Sequence, residues 1–282
     1  MSKYQFHESD IYYPGSDVPI NELGVKDPEI LHEIEESLLS EAFLGFAGNL
    51  GTETVFGEGL FKSLHRETFK SLYAWAGCYR TVDMEKGGSK FCRAIYLEKE
   101  SQKIFTALIH ELNEKGDRLQ DFEIFARFVA HFQGEVIALH PYYELNGRIT
   151  RFFFDLVALS KGFYPIDYEQ SLAETSGIRN AYINASIECV QHGSSINRPL
   201  TVAHDERYLT YLIHSTRRTQ PPLPIVSKPP GVRRIARSQS ISVRDPIWAS
   251  QSRTVHCTGP NCLHRSVEFA SLGMEPRHLA YR

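Results

Sequence analysis

Two apolar runs with helical spacing, separated by a short polar turn, constrain this chain more than any other feature in it. Phe122, Phe125, Phe128, Val129, Phe132, Val136 and Ile137 recur at three- and four-residue intervals behind Asp121, a residue suited to cap a helix. The run stops at His140, because the position before Pro141 is pushed out of the α region. A second run, Phe152 to Leu159, follows Arg148 and ends near Gly162 and Pro165. The spacing predicts a helix over 121–140, a loop, and a helix over 148–162.

The loop and its edges gather unusual chemistry. His140-Pro141-Tyr142-Tyr143-Glu144-Leu145-Asn146-Gly147-Arg148-Ile149-Thr150-Arg151 holds an imidazole, a carboxylate, an Asn-Gly backbone and two guanidiniums. Asn146-Gly147 just before a helix N-terminus offers free N–H groups and the positive end of the dipole, a natural anion seat. Arg148 and Arg151, three apart, share a helix face and can converge on one phosphate chain. With an ordinary pKa of about 6.5, His140 is the candidate general base, a role that typically contributes about 10²–10⁴ in rate. Glu144 suits a hard cation such as Mg²⁺. Taken singly, each residue reads as an ordinary polar group near a helix end. In this order they describe a grip on a phosphorylated ligand beside a proton acceptor.

The run resembles the signature of the Fic (Fic/Doc) family, His-x-Phe-x-(Asp/Glu)-Gly-Asn-Gly-Arg-x-x-Arg. His140, Glu144, Asn146, Gly147, Arg148 and Arg151 match it; Tyr142 replaces the Phe and Leu145 replaces the first Gly. Leu64 to Thr81 is similar to the helix before the family's flap, and Thr81 to Phe91 to the flap itself. Gly87-Gly88 is by its own chemistry a turn signal between two short extended runs. Gly162 to Tyr168 and Tyr182 to Ala185 look like the closing segments, so the likeness covers residues 20–215.

The resemblance implies a mainly α fold, a Fic-type helical domain with a small β-hairpin flap. It implies transfer of AMP from ATP to a Ser, Thr or Tyr hydroxyl of a target protein. His140 would deprotonate that hydroxyl and Glu144 would hold Mg²⁺ between the α- and β-phosphates. Asn146 and Gly147 would line the phosphate nest, and Arg148 and Arg151 would position the β- and γ-phosphates. The flap residues Thr81, Val82, Asp83, Lys86, Gly87, Gly88 and Phe91 would dock an extended target segment by strand addition.

Leu145 leaves three outcomes: ordinary adenylylation, a different phosphorylated donor, or a binding module without turnover. If the position needs left-handed geometry, a leucine there costs about 1–2 kcal/mol. A rival transfer of ATP's γ-phosphate, as in Doc-like relatives, goes with Lys where this chain has Gly147. Family members are commonly restrained by a helix bearing Ser/Thr-x-x-x-Glu-Gly/Asn. Ser37 to Ala42, with Glu41, and Ser271 to Pro276, with Glu275, both miss its last position. The expected inhibitor is therefore a small antitoxin-like protein acting in trans, as in a toxin–antitoxin pair.

Charge divides the chain. Lys+Arg total 31 against 34 Asp+Glu, a net of −3. Residues 217–282 hold 11 Lys+Arg against 3 Asp+Glu, which leaves 20 against 31 before them. That basic tail opens with Pro221-Pro222-Leu223-Pro224 and lacks helical or strand period, so disorder is expected. It reads as a dispensable extension rather than a nucleic-acid contact. The domain scheme is an arm over 1–19, a Fic-like domain over 20–216 and the tail over 217–282. Five cysteines form no disulfide framework, and His256 to His264 lacks the intervals of a zinc site. Scattered thiols fit a reducing cytoplasm. Met1 to Asp10 has no signal-peptide core, and no apolar run reaches membrane-spanning length. Further helices are expected over 27–48, 58–76, 95–115, 169–190 and 200–214, with a hairpin over 79–92.

Overall fold

The computed structural model describes residues 5–6, 11–166, 168 and 181–193. The helix expected over 200–214 and the basic tail lie outside the described residues. Among the described residues the protein is mainly helical with a three-stranded antiparallel sheet at one side.

The chain begins with β1 (Gln5–Phe6) and runs through α1 (Pro28–Gly48), α2 (Glu58–Phe69), β2 (Met84–Lys86), β3 (Ser89–Lys90) and α3 (Leu97–Lys115). It continues with α4 (Phe122–Leu139), α5 (Asn146–Ser160), α6 (Ala181–Glu188) and a π turn, Cys189–Gly193. Side-chain caps start two of the helices, the second of them at the Asp121 expected from the sequence. Asp27 accepts from the N–H groups of Glu29 and Ile30, with Pro28 in the first turn. Asp121 accepts from those of Glu123 and Ile124.

α4 is the axis of the fold. It packs against α3, α5 and the π turn, so its side chains from Phe128 to Leu139 are buried with the exception of half-buried His131. Gly134 permits this approach, because a Cβ there would meet the Cys189 sulfur at 3.2 Å. Phe61, Phe105 and Phe153 interlock beside it, with ring centroids 5.2–5.7 Å apart. Each such buried ring contributes about 1.5–3 kcal/mol.

Two boundaries differ from the sequence expectation. α2 ends at Phe69 and not near residue 76, because the following turns are tied elsewhere: the Leu72 carbonyl accepts from the Glu22 N–H. Gly77 then sits at φ +79, and a Cβ there would lie 2.6 Å from the Cβ of Arg66, so only glycine fits. α5 starts at Asn146, two residues early, because Leu145 supplies the cap position through its backbone.

The hairpin is present with Gly87 and Gly88 both at positive φ, and Glu85 pairs with Lys90 and Lys86 with Ser89. Its other edge carries an unforeseen strand. β1 lies antiparallel on β2, with Gln5 opposite Glu85 and Phe6 opposite Met84. No helix among the described residues is long and apolar enough to cross a membrane.

Candidate active site

The motif loop is shaped by two residues in the left-handed region. His140 (φ 46, ψ 60) ends α4, and Leu145 (φ 71, ψ 4) begins α5. They are the only non-glycine residues at positive φ among those described. Such strain persists only where surrounding structure over-determines it. Here the constraint comes from long-range hydrogen bonds.

Arg80, buried and fully enclosed by backbone, is the main clamp. Its guanidinium donates to the carbonyls of His140 (2.9 Å), Val82 (2.6 Å) and Cys92, while its N–H donates to Pro141 (2.8 Å). It therefore ties both ends of the flap to the end of α4. Burial pushes its pKa down to about 10, so it stays charged at neutral pH. The His140 ring stacks on Phe91, centroid to centroid 3.8 Å and 13° from parallel. The candidate base is thus held by its carbonyl and by its ring face, both through the flap.

His65, which the sequence did not single out, supports the middle of the loop. Its Nδ1 accepts from the Gly77 N–H at 2.9 Å, which puts the ring proton on Nε2, 3.4 Å from the Glu144 carbonyl. The ring stacks on Tyr142 at 3.8 Å. Burial pulls its pKa down to about 3, so His65 is a neutral strut and no proton shuttle. Tyr142 fills the position of the motif Phe; its hydroxyl reaches the Phe61 carbonyl at a long 3.4 Å.

Asn146 locks the loop from the other side. Its side chain accepts from the Tyr142 N–H (2.8 Å) and donates to the Tyr142 carbonyl (2.7 Å). Its side-chain amide is thereby engaged within the loop. No side chain caps the start of α5; the first helical bond runs from Ile149 N–H to the Leu145 carbonyl. Free N–H groups at such an end are of the kind that can hold an anion. Gly147 lies in the first turn of α5, where an added Cβ would be 3.6 Å from Nη1 of Arg151. The Arg151 guanidinium is thus folded back over the helix N-terminus, between the rings of Tyr168 (5.7 Å) and Tyr182 (5.6 Å). Arg148 is braced from α1 instead, by Glu35 at 2.6 Å.

Leu145 resolves the departure at the first motif glycine. The chain takes the left-handed conformation a glycine would take without steric cost, and the isobutyl group is 4% exposed. Strain of about 1–2 kcal/mol is offset by about 1.5–3 kcal/mol of burial.

Glu144 is buried, and its Oε1 accepts from the Tyr12 hydroxyl at 2.6 Å. Residues of the N-terminal arm therefore reach the site. Among the described residues no three His, Cys, Asp or Glu side chains cluster as metal ligands. A single carboxylate beside a phosphate seat fits Mg²⁺, which commonly takes one or two carboxylates and completes its shell with phosphates and water.

The flap residues divide by what they touch. Thr81 meets the Tyr143 hydroxyl through N–H and Oγ1 (3.1 and 2.9 Å), and Val82 accepts from Arg80. Asp83 accepts from the Ala94 N–H at 2.7 Å, which holds its carboxyl below its usual pKa. These three build the stem, Lys86, Gly87 and Gly88 form the strand end and turn, and Phe91 covers His140.

An uncapped helix N-terminus with two arginines is thus joined by a short strained loop to a held imidazole, between two core helices. Residues 56–158 match the Fic/DOC family. The chain is 32% identical over 166 residues to the probable protein adenylyltransferase Fic of Salmonella typhimurium, covering 58% of this chain and 78% of that one. It is 28% identical over 193 residues to the probable protein adenylyltransferase y4lH of Sinorhizobium fredii, covering 66% and 92%. Among solved structures, BepC of Bartonella tribocorum with bound AMPPNP superposes with a TM-score of 0.53, at 20% identity, over 72% of this chain and 95% of that chain. At that identity the likeness speaks to the fold alone. The chain belongs to the Fic/DOC family.

Proposed function

We propose that this protein is a protein adenylyltransferase that moves AMP from ATP to a Ser, Thr or Tyr hydroxyl of a target protein. The observation that carries this reading is the pairing of the uncapped α5 N-terminus, under Arg151, with His140 at the other end of a six-residue loop. In this reading the target hydroxyl gives its proton to the His140 imidazole as its oxygen attacks the α-phosphorus. The bond from the α-phosphorus to the bridging oxygen breaks, and pyrophosphate leaves. The N–H groups of Asn146 and Gly147 and the side chains of Arg148 and Arg151 would hold the departing β- and γ-phosphates. Glu144 would hold Mg²⁺, whose charge offsets that of the phosphates.

The flap would receive an extended target segment. β1 supports this, because the edge of β2 already pairs with a strand and main-chain pairing is indifferent to side chains. Restraint would come in trans from a small antitoxin-like protein; Glu41 of the near-miss helix lies on the exposed face of α1. Cys78, Cys92 and Cys189 are free thiols, which favours action in a reducing cytoplasm.

The test uses purified chain, Mg²⁺ and bacterial lysate, with ATP labelled at the α- or the γ-phosphate. Label on a protein band from the α position alone, absent with His140→Ala, is expected. Label from the γ position alone would make the protein a phosphotransferase. ATP binding without label from either position, in wild type and in Leu145→Gly, would favour a binding module.

A further inference from the structure

α1 carries four glutamates, Glu29, Glu33, Glu35 and Glu36, within its first three turns. Glu29 and Glu33 are exposed, and half-buried Glu36 meets His32 at 3.1 Å. Glu35 falls in the stripe of Leu31, Leu39 and Phe43 and is 5% exposed. A carboxylate at that depth persists only with its oxygens satisfied. Both are. Oε1 accepts from the Tyr73 hydroxyl at 2.5 Å, and Oε2 accepts from Nη2 of Arg148 at 2.6 Å.

The geometry points to Glu35 as the positioning residue for Arg148, fixing which edge of that guanidinium faces the nucleotide's phosphates. The inference rests on the phosphate-binding reading of α5. The carboxylate cannot turn, because Tyr73 holds its other oxygen and the Tyr73 ring is stacked on Trp75 at 4.5 Å. Burial and the adjacent Glu35 charge push the Tyr73 pKa up, so its proton stays in that bond. Glu35 uses one of the five N–H groups on Arg148. A second, on Nη1, lies 3.3 Å from Nδ1 of His32. The rest remain for phosphate oxygens. A long flexible side chain at a helix N-terminus would otherwise pay rotamer entropy on each binding event. Glu35 makes that payment on folding.

A positioning role and a merely structural one predict different nucleotide profiles. Arg148 would meet phosphates beyond the α-phosphate, so loss of its orientation weakens ATP and leaves AMP unchanged. Equilibrium binding of Mg²⁺-ATP and of AMP to the full chain reads this directly. Glu35→Gln, which keeps shape and removes charge, is expected to weaken ATP about five- to tenfold with AMP unchanged, and to have no further effect in an Arg148→Gln background. Tyr73→Phe, which removes one hydroxyl from a ring that stays stacked, is expected to weaken ATP about two- to threefold; it serves if Glu35→Gln fails to fold.

Equal weakening of ATP and AMP, loss that persists without Arg148, tighter ATP binding, or no change in either variant would each overturn the assignment. Wild-type chain that binds ATP no better than AMP would overturn the phosphate reading of α5, and this inference with it.

Discussion

The motif loop and the flap face each other across His140, and they are built by opposite means. The loop is short, buried and strained; its shape is imposed by Arg80, His65 and Asn146 acting on backbone carbonyls and N–H groups. The flap is a single hairpin with two paired positions, held at its two ends by Thr81, Val82, Asp83 and Cys92 and along β3 by the bond from Gln191 to the Ser89 hydroxyl. In the proposed function the loop would seat the nucleotide and the flap edge would take the protein segment.

Breaking the loop side should have the largest effects. His140→Ala is expected to lower AMP transfer by at least about 10²-fold while ATP binding is retained, as read by labelled transfer and equilibrium binding. Arg80→Met would leave the carbonyls of His140, Val82 and Cys92 without their donor. The expected cost is about 3–5 kcal/mol, read from urea unfolding, with transfer lost even where the fold survives.

His65 gives the comparison a pH axis. It is neutral in the fold down to about pH 3 but takes a proton near pH 6.5 when unfolded. The unfolded chain thus binds more protons across that window, and stability falls as pH drops through it, by up to about 1.4 kcal/mol per pH unit. Urea midpoints at pH 7, 6 and 5 check this. His65→Asn should be less stable at pH 7 yet show a shallower slope.

Leu145→Gly exchanges relief of about 1–2 kcal/mol of strain for loss of about 1.5–3 kcal/mol of burial. A net loss near 1 kcal/mol and a change in transfer of at most about threefold are expected. On the flap side, removal of residues 1–8 opens the β2 edge. Target labelling should rise about two- to fivefold with no shift in ATP affinity, since the competent fraction alone changes.

Much of this was legible in the sequence where the pattern is local. The α4–loop–α5 unit and the Gly87-Gly88 turn follow from periodicity, capping and turn chemistry over a dozen residues. Glu35 was legible too, through the Leu31–Glu35–Leu39–Phe43 stripe, but a charged residue in an acidic helix reads as solvated until its phase is counted. β1 was not legible, because two residues cannot show alternation and the strand exists only by pairing with β2. His65 and, apart from its bond to Val82, Arg80 act on backbone atoms 12 to 79 positions away, and no local signal marks such a partner. α2 was overextended because Lys70 to Ala76 has good helix formers, and a tertiary bond to Glu22 prevailed over propensity.

The most direct measurement is a crystal structure of the full chain soaked with Mg²⁺ and a non-hydrolysable ATP analogue. The account predicts phosphate oxygens on the N–H groups of the first turn of α5, in contact with Arg148 and Arg151, with the α-phosphorus facing His140. Phosphates bound elsewhere, or an α-phosphorus turned away from His140, would contradict it.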